Sequence, residues 1–136
     1  MKRFTSLPVL LVLVSALAAC AVPGTGPSTS FSVELTEFKF APDKFIVPAS
    51  QNITLTMINK GKLPHEFVII KKGEQVTLPF DEDDEEKVYW EHEVEAGERE
   101  TVTFIAPPEP GEYEVICGIT GHFEAGMKAT LTVVAP

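Results

Sequence analysis

Positive charge is scarce in these 136 residues. Eleven Lys and Arg stand against twenty Asp and Glu, a formal charge of −9. A general nucleic-acid binder needs a basic face to neutralise phosphates, so that class is excluded. Cysteine is scarcer still. Cys20 and Cys117 allow at most one disulfide, so no disulfide scaffold holds the chain. No apolar run reaches the roughly 18 residues that a spanning helix needs. No P-loop, GxGxxG or GxSxG occurs, which removes the commonest nucleotide-binding and serine-hydrolase signatures. Methionine and histidine number only three each, so there is no Met-rich or His-rich tract. What remains is ordinary for one globular domain: 44% hydrophobic and 23% charged residues. Eleven Pro, nine Gly and nine Phe lean toward a loop-rich β protein.

The first residues read as an address. Lys2 and Arg3 precede a stretch, Leu7 to Ala19, that is apolar except for Ser15. As a helix it would reach about 20 Å, against a bilayer core of about 30 Å, so it does not span. It reads as a secretory signal over residues 1–19. Leu17-Ala18-Ala19-Cys20 resembles the lipobox of bacterial lipoproteins, in which the Cys is acylated and the chain is cut just before it. Ala16-Leu17-Ala18 could instead serve ordinary cleavage without a lipid. Removing residues 1–19 takes away Lys2, Arg3 and no acids, which moves the formal charge from −9 to −11. Residues 20–30, rich in Pro, Gly, Ser and Thr, read as a lipid-anchored flexible tether. The location implied is extracytoplasmic, periplasmic or cell-surface.

The domain proper is expected over residues 31–136. Phe31, Val33 and Leu35 alternate with polar neighbours, as do Ile53, Leu55 and Met57. His65 to Ile70 is a short apolar run of β-formers. Val102 with Phe104, Tyr113 with Val115, and Ala129, Leu131 and Val133 continue the pattern. Turn signals separate the runs at Ala41-Pro42-Asp43, Asn59-Lys60-Gly61, Lys72-Gly73, Ala96-Gly97 and Pro107 to Gly111. No long segment has a helical period, so the fold class is all-β, a sandwich. Residues 81–86, Asp-Glu-Asp-Asp-Glu-Glu, lie in a stretch, Glu74 to Glu100, that is long for a loop. They read as a solvated loop or strand extension, as a docking patch for a basic partner, or as a weak cation patch.

Chemistry concentrates in Cys117-Gly118-Ile119-Thr120-Gly121-His122-Phe123-Glu124-Ala125-Gly126-Met127, with His65 upstream at a strand start. Taken singly, Cys117 is a small buried hydrophobe, Met127 core, His65 a strand-end histidine and His122 a loop residue. Together they form a soft mixed set: thiolate, two imidazoles and a thioether. Two His and a Cys in a plane with a weak axial Met is a blue-copper arrangement. His92 has no soft partner near it in sequence and reads as a surface histidine.

At these residues the chain resembles the cupredoxins, the type 1 blue copper family. The likeness runs from about Glu34 to Val133. It is carried by Phe38-Lys39-Phe40-Ala41-Pro42, Phe45-Ile46-Val47-Pro48-Ala49, Asn59-Lys60-Gly61, Pro64-His65-Glu66-Phe67 and Pro110-Gly111-Glu112-Tyr113. The C-x4-H-x4-M loop is similar to that of rusticyanin- and auracyanin-like members. The resemblance implies a Greek-key β-sandwich and one copper ion, Cu(I) or Cu(II), held by His65, Cys117 and His122 with Met127 axial. It also implies a His122 edge that reaches the surface. Around it Leu63, Pro64, Ile119, Phe123 and Ala125 are expected to form a small apolar docking patch. Several members have Asn after the upstream His, tying the ligand loops together. Here that position is Glu66.

The function expected is a membrane-tethered, monomeric carrier of single electrons between redox proteins, one of them with a basic docking face. The alternative is extracytoplasmic copper handling as a chaperone, store or resistance factor; the missing Met-rich or His-rich tract argues against it. An enzyme is not expected, because four protein ligands leave no open coordination position and no second His cluster exists. Zinc could occupy the same donors where copper is scarce.

Overall fold

The structure, a computed structural model, describes residues 26–136. The signal over residues 1–19, lipidation at Cys20 and the first half of the tether lie outside the described residues. Nine strands follow in order: β1 (Ser30–Thr36), β2 (Lys39–Ala41), β3 (Lys44–Pro48), β4 (Asn52–Asn59), β5 (His65–Ile70), β6 (Val88–Val94), β7 (Arg99–Ile105), β8 (Gly111–Ile116) and β9 (Lys128–Val134). Among the described residues the one helical piece is a 3₁₀ turn over Glu82–Lys87. None of the described helices is long and apolar enough to cross a membrane.

The strands make two sheets, ordered β2-β1-β4-β7 and β3-β9-β8-β5-β6. The chain changes sheet between β2 and β3, β3 and β4, β4 and β5, β6 and β7, and β7 and β8, as the expected Greek-key sandwich requires. The period-two pattern sets which side chains go inside. Val33, Leu35, Ile53, Leu55, Met57, Phe67, Ile69, Tyr113, Val115, Ala129, Leu131 and Val133 all enter one buried cluster between the sheets. Each full burial of such an aliphatic or aromatic side chain is worth about 1.5–3 kcal/mol.

Two features depart from the sequence reading. The stretch from Glu74 to Glu100 is not mainly loop: it holds the 3₁₀ turn, all of β6 and the start of β7. Strand β6 is an edge strand with most positions half-exposed, so no alternation marks it. The acidic residues 81–86 are exposed except for Asp84, but the stretch just before them is not solvated. Phe80 and Val76 cover the outer face of β5 and β8, where Val68, Ile70 and Ile116 form a second apolar cluster. Within residues 81–86 only Asp84 is buried, and it accepts a hydrogen bond from the Lys87 ammonium at 2.6 Å. A buried carboxylate needs such a partner.

Candidate metal centre

His65 opens β5, and a short loop delivers it. That loop, Lys60–Pro64, is pinned by Asn59, the last residue of β4. Asn59 is 2% exposed. Its Nδ2 donates to the carbonyls of Leu63 at 2.8 Å and Val94 at 3.1 Å, and its Oδ1 accepts the Gly61 N–H at 2.9 Å. From the other side, the Glu37 carboxylate accepts the Lys62 N–H. Glu37 and Phe38 form the two-residue turn of the β1–β2 hairpin, in which Thr36 faces Lys39.

Cys117 follows directly on β8, and Met127 directly precedes β9. The loop between them is closed by its own backbone. Cys117 N–H donates to the Met127 carbonyl (3.1 Å), Met127 N–H to His122 (3.0 Å) and His122 N–H to Ile119 (3.0 Å). Gly121 and Gly126 sit at φ +86 and +94, a left-handed conformation that glycine adopts without cost. The tight turns therefore carry His122 back toward Cys117.

Three donor atoms converge in the interior. Cys117 Sγ lies 3.3 Å from His122 Nδ1 and 3.8 Å from His65 Nδ1, and the two Nδ1 atoms are 3.2 Å apart. All three residues are buried. Among the described residues, no other group of His, Cys, Asp and Glu gathers three ligand atoms this closely. With metal–N near ~2.0 Å and metal–S near ~2.3 Å, such edges correspond to angles of roughly 100–120° at one shared centre. The donors thus fit a single soft or borderline ion. Met127 is fully buried and bonded through its backbone to both Cys117 and His122. Its thioether completes the set expected of blue copper.

Burial tunes these groups. It pushes the Cys117 thiol up, partly offset by the N–H groups of Glu66 and Ile119. It holds the His65 imidazolium down, and the charge of His122 adds to this. Without metal the site therefore rests as a thiol beside a neutral His65, and a metal ion must displace the thiol proton to bind.

The structure rearranges part of what the sequence suggested. No Asn follows His65, yet the Glu66 N–H still reaches Cys117 Sγ at 3.4 Å, so backbone supplies that link. The Glu66 side chain turns to the outer face and lies over Gly118, where a Cβ would stand 2.1 Å from its Oε2. Burial, then Glu91, Glu93 and Glu85, pushes its carboxyl up to about 7. His122 does not present an edge to solvent: it is 3% exposed. Phe38 stands edge-on over it, ring centroids 5.4 Å apart. Phe38 is 48% exposed and Leu63 45%. Of the other expected patch residues, Ala125 is exposed, Pro64 and Ile119 are half-buried, and Phe123 packs instead on the outer apolar cluster. His92 lies partly exposed and outside the donor group, as expected of a surface histidine, and there it stacks on Trp90 and bonds Glu100 at 2.7 Å. Sequence reasoning treated Asn59 and Gly61 as a turn and gave Glu37 and Phe38 no role at the site. The available signal was Asn59 itself, a polar residue ending an alternating strand at a core position.

A family model described as a cupredoxin-like domain matches residues 7–133. The chain is a cupredoxin. Auracyanin-B of Chloroflexus aurantiacus is 30% identical over 139 aligned positions, which cover 85% of this cupredoxin and 59% of that protein. The chain therefore spans less than two thirds of that relative's length. The crystal structure of dithionite-reduced auracyanin from Roseiflexus castenholzii superposes with a TM-score of 0.70 at 31% identity, covering 80% of this cupredoxin and 99% of that chain. Auracyanin A of Chloroflexus aurantiacus, a "blue" copper protein, gives a TM-score of 0.63 at 23% identity over 77% and 99% of the two chains. At that identity the likeness speaks for the fold.

Proposed function

We propose that this cupredoxin carries single electrons at a membrane surface. His65, Cys117 and His122 would hold one copper ion as its strong donors, and the Met127 thioether would be the weaker fourth donor. The observation that carries this reading is the buried convergence of two Nδ1 atoms and one Sγ, 3.2–3.8 Å apart. Copper held there supplies a one-electron change between Cu(II) and Cu(I). The chain's part is rigidity: the loop bonds from Cys117 to Met127 and the Asn59 anchor hold the four side chains in one arrangement. A fixed arrangement suits an ion that must change charge with little movement of its ligands.

In this reading residues 1–19 are removed and Cys20 carries the lipid; the tether expected over residues 20–30 stops short of Ser28, because the Ser28 N–H donates to the Ile46 carbonyl and Ser30 already opens β1, so the working domain begins there rather than at residue 31. The lipobox-like Leu17-Ala18-Ala19-Cys20 supports the anchor. The protein works outside the cytoplasm as a monomer. Redox partners dock over the apolar rim made by Phe38, Leu63, Pro64, Ile119 and Ala125. Small interfaces suit such brief encounters. A formal charge of −11 after removal of residues 1–19 favours a basic partner face.

The test is the visible spectrum of residues 21–136 after addition of Cu(II). An intense blue thiolate-to-copper band, bleached reversibly by ascorbate and lost in Cys117→Ser, is the expected result. Colourless protein that holds Cu(I) tightly would point to copper handling instead. Failure to bind either ion would end the four-ligand reading. Labelling of the full chain with a fatty-acid probe, lost in Cys20→Ser, tests the anchor.

A further inference from the structure

His65 has two ring nitrogens, and only one faces the donor cluster. Nδ1 points at Cys117 and His122. In a neutral ring that ligates through Nδ1, the proton sits on Nε2. That nitrogen is buried and has no hydrogen-bond partner among the described residues. An unpaired buried N–H costs about 1–3 kcal/mol. A ligating His normally gives this proton to an acceptor that fixes the ring and strengthens its donation to the metal.

The surroundings of Gly61 show where that acceptor lies. A Cβ at Gly61 would stand 2.9 Å from His65 Nε2, 2.8 Å from Glu37 Oε1 and 3.1 Å from Asn59 Oδ1. One donor and two acceptors thus border the one point of this loop where the backbone carries no side chain. Asn59 Oδ1 already accepts the Gly61 N–H. Glu37 Oε1 accepts the Lys62 N–H and has lone pairs to spare. The backbone donors, Lys62 first, hold the Glu37 carboxyl below its ordinary range, and His65 adds to this. Glu37 is therefore an anion fixed to the same loop that delivers His65.

We propose that Glu37 is a positioning residue of the metal centre, its carboxylate accepting a hydrogen bond from the His65 Nε2–H across the gap that Gly61 leaves open. The inference rests on His65 being a ligand. An anion on the far nitrogen makes Nδ1 a richer donor, which favours Cu(II) over Cu(I). As placed the two groups are not bonded, so the contact requires the exposed Glu37 side chain to shift toward Nε2, into the space that Gly61 leaves free.

The variant that isolates the charge is Glu37→Gln, which keeps an oxygen for the Lys62 N–H. The measurements are the Cu(II):Cu(I) affinity ratio from the reduction potential, and the ¹⁵N and ¹H shifts of His65 Nε2–H in the copper-free and Cu(I) proteins. Glu37→Gln is expected to lower the ratio about tenfold, a rise of about 59 mV for a one-electron couple, and to shift the Nε2–H signals. Gly61→Ala, which fills the gap, should move the potential in the same direction. An unchanged ratio with unchanged Nε2–H signals would overturn the proposal, even if stability falls, because Glu37 would then only pin the loop. The copper-free spectrum keeps the two readings apart. Wild type that binds no copper, with His65 Nε2–H still responding to Glu37→Gln, would sink the ligand assignment and leave the Glu37 contact standing.

Discussion

Removing the Asn59 side chain should loosen the metal centre and the fold together, and the size of the effect can be worked out. Asn59→Ala deletes three hydrogen bonds: two from Nδ2, at 2.8 and 3.1 Å, and one to Oδ1, at 2.9 Å. Each such bond is worth about 1 kcal/mol net. The bond to the Val94 carbonyl is buried, so its loss strands an acceptor, at a cost of about 1–3 kcal/mol by itself. The other two partners, at Leu63 and Gly61, sit nearer the surface and can recover water. The sum is a loss of about 2–4 kcal/mol. Urea unfolding of copper-free protein reads this directly. With a slope near ~2 kcal/mol/M, the midpoint should fall by roughly 1–2 M with the slope unchanged. In the copper-loaded protein the blue band should weaken or shift, because the loop that Asn59 pins is the one that carries His65. A midpoint shift below about 0.5 M would refute the argument that Asn59 holds this loop.

Three further outcomes follow from other residues. Phe38 has φ +65 in a two-residue hairpin turn, a conformation that suits Gly or Asn and costs a bulky residue about 1–2 kcal/mol. Phe38→Asn should therefore leave the melting temperature equal or higher, while electron exchange with a redox partner changes because His122 loses its cover; a large drop in melting temperature would contradict the strain. Phe80→Ala should cost about 2–4 kcal/mol by opening a cavity over β5 and β8, and should speed proteolysis within residues 74–87; a neutral result would show that Phe80 does not hold this stretch against the sheet. Glu66 has a folded-state pKa of about 7, above its ordinary value of 4.5, so the copper-free native state holds this proton more tightly than the unfolded chain. Its stabilising contribution is complete below the unfolded value and is lost as pH rises from about 4.5 through about 7, at up to about 1.4 kcal/mol per pH unit. The stability difference between wild type and Glu66→Gln should therefore grow across that window in favour of the variant, and a flat difference would show that burial does not perturb this carboxyl.

What could be seen in the sequence divides by how local its cause is. Core strands announced themselves because one face is apolar: Val33 and Leu35, or Ile53, Leu55 and Met57, have no other reason to alternate. The convergence of Cys117 and His122 was legible for the same kind of reason, since one short loop with glycines at its turns can bring them together unaided. Strand β6 was hidden because an edge strand pairs on one side only, and Tyr89, Trp90, Glu91 and His92 show no contrast between faces. The cover role of Phe80 was hidden because an apolar residue beside six acids looks like a loop residue until the outer face of β5 is known to need covering.

The support of His65 was hidden for a different reason. Its parts come from positions 37, 59, 61 and 65, which lie on two segments far apart in sequence and share no periodicity. Each is ordinary alone: a turn glutamate, a strand-end asparagine, a loop glycine. They matter only because the β1–β2 hairpin and the β4–β5 loop meet at the end of the sandwich where the donors converge. The four donors are types that only soft-metal chemistry wants together, so composition and order reveal them. The residues that hold those donors are types any turn can use, so only their placement does. Glu66 illustrates the same asymmetry. Its side chain departs from the Asn expected there, yet the contact to Cys117 Sγ survives because it is made by the backbone N–H, which every residue except proline can supply. Position-by-position substitution at Glu66 should therefore move stability and its pH dependence far more than it moves the geometry of the donor set.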